Sequence, residues 1–462
     1  LKKIATRIKS KSIQTTNTIY KKFPFIKRNK KIIVIPLIGL IGLSALMISN
    51  AASLSIGLEP EDGNKTIATA QLDSTASGGK FLQFGSEGHH GGGGSGCADG
   101  PNFRAINICI NQTSIPAANM PPINYDFVRD MGKDTRVPVT AGHQVPATRF
   151  DCGFTHASKD DPIVYPGQND MAHWHNFAGN AGIDENTVDP ATSGASNCAG
   201  GTANRTGYWA PMLVDTNSYN ATTKQFNMAE PMVMGPNCRA GINYEDCIGN
   251  FMQVYYKKGY AYRLKGDTIR WFPPGFKMIA GANAGNAPSG PPNNAYFDCV
   301  RDGNTGSTVN DLHHLGSIPA TCPPGNYIMA TIVFPQCGAV NLDGTPKLDS
   351  PNHRDHVAYP LNIEGQGCPS THPIAYPEIS EHFRWKVPSS GAGGLKFSSD
   401  IYAGAQPGWT FHADWMNGWK PEFSQLIIDR CYRGNNGFGY DCGNDRAAPY
   451  RFDFPGPPTW SD

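Results

Sequence analysis

Three short groups of residues in this chain carry side chains able to bind an ion or move a proton. His173-Trp174-His175 sets two histidines two apart, and His412-Ala413-Asp414 sets a histidine and a carboxylate two apart. His353-Arg354-Asp355-His356 sets two histidines three apart. On an extended backbone, residues two apart project to the same face, so each of the first two pairs can converge on one ion or substrate. Residues three apart meet on one side of a turn or helical stretch. Neutral imidazole is the commonest metal ligand, and a catalytic zinc typically takes three protein ligands and leaves one position for water. One shared centre follows, with His173, His175 and His412 on a divalent metal ion, zinc favoured. Asp414 would be a fourth ligand or the general base, and His353 or His356 the acid/base partner. Arg354 would hold a carboxylate or sulfate group of the substrate bidentately. Trp174, Trp415 and His372, the last within Cys368-Pro369-Ser370-Thr371-His372-Pro373, complete the substrate-contacting set. A route without metal uses the histidines and Tyr359 for proton transfer, as a lyase would. Against all of these stands the reading of separate structural histidines that tie down loops. His89-His90 and His313-His314 lie among Gly or Asp and are expected to be solvated loop residues.

These groups must be positioned by short strands. Residues 208–214, 251–256, 327–334, 379–387 and 395–402 are rich in β-branched and aromatic types and bounded by Gly, Pro or Asn. The clearest helical pattern is residues 421–432. Pro421 suits a first helical position, Glu422 complements the N-terminal dipole, and Phe423, Leu426, Ile427 and Arg430 recur at helical spacing. With 52 Gly, 37 Pro and only 17% charged residues, the composition disfavours helical bundles and coiled coils. The expected fold is mainly β: a large antiparallel β-sandwich-like domain with long disulfide-braced loops and a C-terminal helix. No Gly-rich phosphate loop opening a helix is present, so nucleotide-binding folds have no support.

Charge is distributed unevenly. The first 31 residues hold eleven of the 39 Lys and Arg and no acid, which leaves 28 basic against 38 acidic residues, a net charge of about −10, from residue 32 onward. A body this acidic repels phosphates, which argues against non-specific nucleic-acid binding. Residues 32–48 form an uncharged apolar run of 17 residues directly after Arg28, Lys30 and Lys31. As a helix it would span roughly 25 Å, the short end for a bilayer core. Its flanking charge places the body outside the cytoplasm, either secreted after cleavage near Ser49-Asn50-Ala51 or anchored by residues 32–48. The 12 cysteines all follow this run and none forms C-x-x-C, which favours up to six disulfides over a zinc ribbon or redox pair. Cys238 with Cys247 and Cys431 with Cys442 are near enough in sequence to close short loops, although spacing does not fix the pairing. The domain plan is a basic leader over 1–51, a Gly/Ser-rich stalk over 52–96, and a β-rich body over 97–462. Within the stalk, Leu58-Glu59-Pro60-Glu61-Asp62-Gly63 and Ala76-Ser77-Gly78-Gly79-Lys80 look like the opening strands of carbohydrate-binding modules.

Longer motifs around the histidines are similar to a known family. They are Asp161-Pro162-Ile163-Val164-Tyr165-Pro166-Gly167-Gln168, His173 and His175 with Asn176-Phe177-Ala178-Gly179-Asn180, and Phe272-Pro273-Pro274-Gly275-Phe276-Lys277. Asp349-Ser350-Pro351-Asn352-His353-Arg354-Asp355-His356 and His412-Ala413-Asp414-Trp415-Met416-Asn417-Gly418-Trp419 follow in the same order. The chain resembles, from about Phe150 to Cys431, the secreted domain-of-unknown-function family numbered nineteen-ninety-six. Ala172 stands where that family commonly has Ser, and Trp415 where Phe is usual. The resemblance implies an extracytoplasmic setting and a common site built from these histidines, and it brings no established reaction. Two functions fit. One is a metal-dependent hydrolase acting on cell-surface or environmental polysaccharide. The other is a non-catalytic glycan-binding or wall-attachment domain, for which eight Trp and 18 Tyr supply flat faces. A copper-handling role has thin support, because the 12 Met are scattered.

Overall fold

The aromatic and β-branched runs form strands that pair antiparallel in two principal sheets. The computed structural model describes residues 68–72, 80–84, 108–118, 137–138, 146–192, 194–198, 203–233, 251–258, 269–283, 288–301, 308–315, 317–361, 367–432 and 440–441. The chain divides into two compact units, Leu1–Leu58 and Glu59–Asp462, and every described residue belongs to the second.

The larger sheet has six strands in the order Thr308–Leu315, Ala295–Val300, Tyr327–Val333, Glu378–Lys386, Met252–Lys257 and Ala147–Cys152. The smaller has five, in the order Lys277–Gly281, His412–Met416, Gly207–Pro211, His175–Gly179 and Phe154–Ser158. The two face each other across one apolar core. Phe150, Val254, Ile332, Phe383 and Trp385 of the first pack in the same cluster as Ala178, Tyr208, Ala210, Ala413 and Trp415 of the second. Polar side chains inside it find partners across the gap. The Tyr208 and Tyr256 hydroxyls meet at 2.6 Å, and the Trp385 indole donates to Asn176 Oδ1 at 2.9 Å. This is a mainly β, antiparallel, sandwich-like domain.

Alternation then fixes the outer face of the smaller sheet. Asn176 and Ala178 point into the sandwich, so His175 and Phe177 point away from it. Ala413 and Trp415 point in, so His412 and Asp414 point away. Outside, Phe177, Trp209, Ile279 and Met416 form a second small apolar cluster with Ile163 and Ile183 from the segments before and after the His175–Gly179 strand. The site lies on this outer face.

Two segments differ from expectation. Residues 208–214 do not make one strand: Gly207–Pro211 ends before Met212, and Leu213–Asn220 joins a separate three-stranded sheet with Leu395–Phe397 and Gln225–Met228. Residues 395–402 begin as a strand but turn at Phe397 into the helix Ser398–Ala403. Asp400 causes the switch, because its carboxylate accepts from the Phe397 backbone N–H at 3.0 Å and so closes the first turn. The C-terminal helix is present as Pro421–Ile427, followed by a π turn over Ile428–Tyr432.

Disulfides join Cys152 to Cys198, Cys299 to Cys322 and Cys337 to Cys368. Cys109 and Cys431 are disulfide-bonded as well. Cys238, Cys247 and Cys442, like the apolar run 32–48, lie outside the described residues. Among those residues no helix is long and apolar enough to cross a membrane. In the proposed stalk, Ala68–Leu72 and Lys80–Phe84 pair as a two-stranded antiparallel sheet. Thr308–Leu315 is a strand, which places His313 opposite Asp298 and His314 opposite Phe297, where a solvated loop was expected.

Candidate metal centre

His175 opens the His175–Gly179 strand, where it is opposite Pro211. Asp414 is opposite Trp209, so the same register carried two residues along sets His412 on the other side of Pro211. His175 and His412 therefore share one row across the sheet, on the same face. His173 reaches the row from the preceding extended residues, which stay in line because the Met212 N–H donates to the Trp174 carbonyl at 2.8 Å. The result is a cluster of three imidazoles with ligand atoms all within 4.8 Å of one another. Ring centroids are 4.2 Å apart for His173 and His175, 5.0 Å for His173 and His412, and 6.0 Å for His175 and His412. With Zn–N bonds of about 2.0–2.1 Å, the edge of a tetrahedron is ~3.4 Å, so modest ring rotations bring the nitrogens to coordination distance.

All three rings are buried, at 4%, 1% and 5% exposure for His173, His175 and His412. Burial holds His173 neutral, pushing its pKa down to about 4, against a small opposing effect of the Trp174 carbonyl. Burial also pushes His175 well below its ordinary value, helped by the two neighbouring imidazoles and opposed by the Asp160 backbone. His412 is pushed well below for the same first reason, with His173 and Arg354 adding to it. The cluster therefore offers lone pairs and not positive charge, as a metal requires.

Neighbouring groups decide which nitrogen points inward. The His412 Nδ1 lies 2.9 Å from the Thr410 carbonyl, and the His173 Nδ1 lies 3.1 Å from the Ser398 hydroxyl. The outward ring atoms are thus engaged, while His173 Nε2 and both nitrogens of His175 are buried with no partner at hydrogen-bond geometry among the described residues, the Asp160 backbone being only an electrostatic neighbour of His175. Buried polar atoms without partners are costly, by about 1–3 kcal/mol each, and a ligand that satisfies them removes that cost. The supporting atoms come from one segment. Asp400 accepts from the Gly408 and Thr410 N–H groups at 2.8 and 3.0 Å and from the Thr410 hydroxyl at 2.6 Å, which ties the helix to the strand bearing His412. Ser398, Asp400 and Thr410 were not identified from the sequence, where nothing in their spacing sets them apart.

The other expected site residues are placed elsewhere. Asp414 is buried on the outer face, one pleat repeat (~7 Å) along the strand from His412 and in register between Trp209 and Ile279. Arg354 donates to the Gly281 and Ala282 carbonyls at 3.1 and 3.0 Å, beside the residue opposite His412. His356 is a structural histidine. It is fully buried, its Nε2 bonds the Lys277 carbonyl at 2.7 Å and its Nδ1 meets Ser350 at 3.1 Å, so neither nitrogen can serve as acid or base. His353 takes a left-handed backbone (φ 53°) and its Nδ1 contacts both carboxylate oxygens of Asp349, at 3.0 and 3.1 Å. His372 is held between Thr371 and the Asp355 carbonyl. Trp174 packs against the core with its indole N–H on the Ile108 carbonyl, and Trp415 is fully buried with its N–H on Tyr256. Both are turned toward the interior because each lies between two outward residues, Trp415 completely and Trp174 with part of its surface still exposed. The Tyr359 hydroxyl donates to the Val333 carbonyl at 2.7 Å, and although the residue as a whole is partly exposed, desolvation of that hydroxyl pushes its pKa up.

The comparisons with known proteins agree with the motif order. No curated protein and no solved structure matches the chain. One family profile matches residues 161–419, more than half of the sequence and the whole span from Asp161 through all three histidines to Trp419. The chain belongs to the family described as Domain of unknown function (DUF1996).

Proposed function

We propose that the domain is a metal-dependent hydrolase working outside the cytoplasm on polysaccharide, with His173, His175 and His412 holding one divalent ion. The observation that carries this reading is the convergence of three neutral, buried imidazoles that lack enough protein partners of their own. Zinc suits an all-nitrogen set of three, and held by His173, His175 and His412 with no ligand charge to neutralise it, such an ion would supply Lewis acidity and lower the pKa of a water. The fixed Nδ1 atoms of His173 and His412 keep their Nε2 lone pairs aimed inward, so the ligand set is ordered before anything binds. The extracytoplasmic setting is supported by the basic-then-apolar leader and by the disulfides.

The glycan-binding alternative draws on aromatic faces, and Tyr359 is the aromatic among the large exposed apolar residues described. It gives no reason for burying three histidines together. The test is to load the full chain with zinc and measure reducing ends released from neutral and acidic polysaccharides. His175→Ala is expected to abolish release while shifting the unfolding midpoint by no more than a few degrees. Retention on insoluble glucan with no sugar released by the zinc-loaded protein would favour the binding domain instead.

A further inference from the structure

The edge strand Lys277–Gly281 separates the three-histidine centre from a second feature. Beyond Gly281 lies a cavity of about 690 Å³ lined by Ala282, Asn283, Asn294 and Tyr359 among others. A smaller one of about 140 Å³ shares Gly281, Asn294 and Tyr359 with it and adds Arg354. Gly281 is opposite His412 in the sheet. Its φ of 90° and its packing exclude any larger residue: a Cβ there would stand 2.5 Å from the Phe411 carbonyl oxygen and 2.8 Å from the His412 Cα. Gly281 therefore borders both cavities and is also the strand partner of His412.

Tyr359 is unlike the other aromatics of this fold. The residue is 44% exposed, yet its hydroxyl is held at two points, donating to Val333 O at 2.7 Å and accepting from Asn294 Nδ2 at 2.6 Å. Asn294 is itself fixed by a bond to Val333 O at 2.9 Å. A tyrosine pinned at its tip presents a flat face whose ordering entropy is already lost, as binding surfaces for planar or pyranose rings require. Asn293 and Asn294 line the same cleft, and with the Asn294 Nδ2 engaged by Val333 and Tyr359 its Oδ1 remains as an acceptor for sugar hydroxyls.

We propose that this cleft binds a neutral polysaccharide, with Tyr359 as the stacking platform and Asn293 and Asn294 as hydroxyl contacts, beside the strand whose Gly281 pairs with His412. Neutral glycan is favoured over acidic glycan on two grounds. The body carries a net charge of about −10, and the fork of Arg354, the charged side chain in the smaller cavity, is committed to the Gly281 and Ala282 carbonyls. The meaning of the cleft rests on the hydrolase reading, but its test does not.

Affinity electrophoresis of the full chain in gels containing laminarin, hydroxyethylcellulose or polygalacturonate reads binding without turnover. Retardation by a neutral polymer is expected, weakened about tenfold in Tyr359→Ala and retained within about threefold in Tyr359→Phe, which keeps the ring. The Phe variant guards against loss through misfolding of the Ala variant. No retardation by either neutral polymer, retardation by polygalacturonate alone, or full retention in Tyr359→Ala would each overturn the proposal. Zinc content of the same samples separates the two claims. Metal present without retardation removes the cleft and leaves the centre, whereas retardation without metal leaves the cleft and removes the centre.

Discussion

The Nδ1 of His412 lies 2.9 Å from the carbonyl oxygen of Thr410. A carbonyl can only accept, so that nitrogen carries the ring proton and Nε2 keeps its lone pair. His173 is set in the same way at one remove. The Ser398 hydroxyl donates to the Trp174 carbonyl at 2.5 Å and is left to accept from His173 Nδ1 at 3.1 Å. Two ligands of the cluster thus have their tautomers fixed by one helix-to-strand segment, and the third is placed by sheet register.

Ser398→Ala tests that arrangement. Hydrogen-bond partners of metal-ligating imidazoles typically contribute 10- to 100-fold in affinity. A loss of about that size in zinc affinity is expected, measured by competition with a chromophoric chelator, with only a small change in the unfolding midpoint. An unchanged affinity would show that Ser398 does not orient His173.

Glu381 makes the interior pH-sensitive. It lies on the central strand Glu378–Lys386 with the parity of Ile379, Phe383 and Trp385, fully buried, and neither carboxylate oxygen has a hydrogen-bond partner among the described residues. Burial pushes its pKa well above 4.5. A carboxyl with a raised folded-state pKa binds its proton more tightly folded than unfolded. Its contribution is therefore fully present below about pH 4.5 and is lost as pH rises toward the folded pKa, by up to ~1.4 kcal/mol per pH unit. Denaturant melts across pH 4.5–8 are expected to show this decline in the wild type and a flatter profile in Glu381→Gln, which is always neutral. Parallel profiles would mean that Glu381 ionises without penalty.

The Cys152–Cys198 bridge closes the segment that contains His173 and His175, its ends 46 positions apart in sequence. Chain-entropy reasoning assigns such a loop ~4 kcal/mol, and removal of native disulfides typically costs about 2–5 kcal/mol. Replacing both cysteines by serine should lower stability by an amount in that range and weaken zinc binding with it. Loss of stability with zinc affinity intact would separate the bridge from the centre.

The convergence of His173, His175 and His412 was legible because same-face spacing on a strand is a local property, and both His173-Trp174-His175 and His412-Ala413-Asp414 lie on extended backbone. The same parity rule, carried one residue further, already places Trp174 and Trp415 on the opposite face. Chemical type drew them to the site, and alternation excludes them. His356 and His372 could not be sorted from sequence, since their partners are the Lys277 carbonyl and the Asp355 carbonyl, supplied by distant or loop backbone. Ser398 and Thr410 were invisible for a similar reason, because a hydroxyl and a carbonyl acquire their role only when a helix start and a strand start are brought together. The strand-rich class followed from composition. The break at Met212 did not, because the change of partner strand there depends on which sheet each half joins.

Metal content decides the matter most directly. The full chain, purified without a histidine tag from an oxidising compartment, should carry near-stoichiometric zinc or another divalent transition metal by elemental analysis. The His173→Ala/His175→Ala double variant should carry none while remaining folded. Absence of metal from the wild type even after dialysis against trace zinc, copper and manganese, or equal metal in both proteins, would contradict a three-histidine centre.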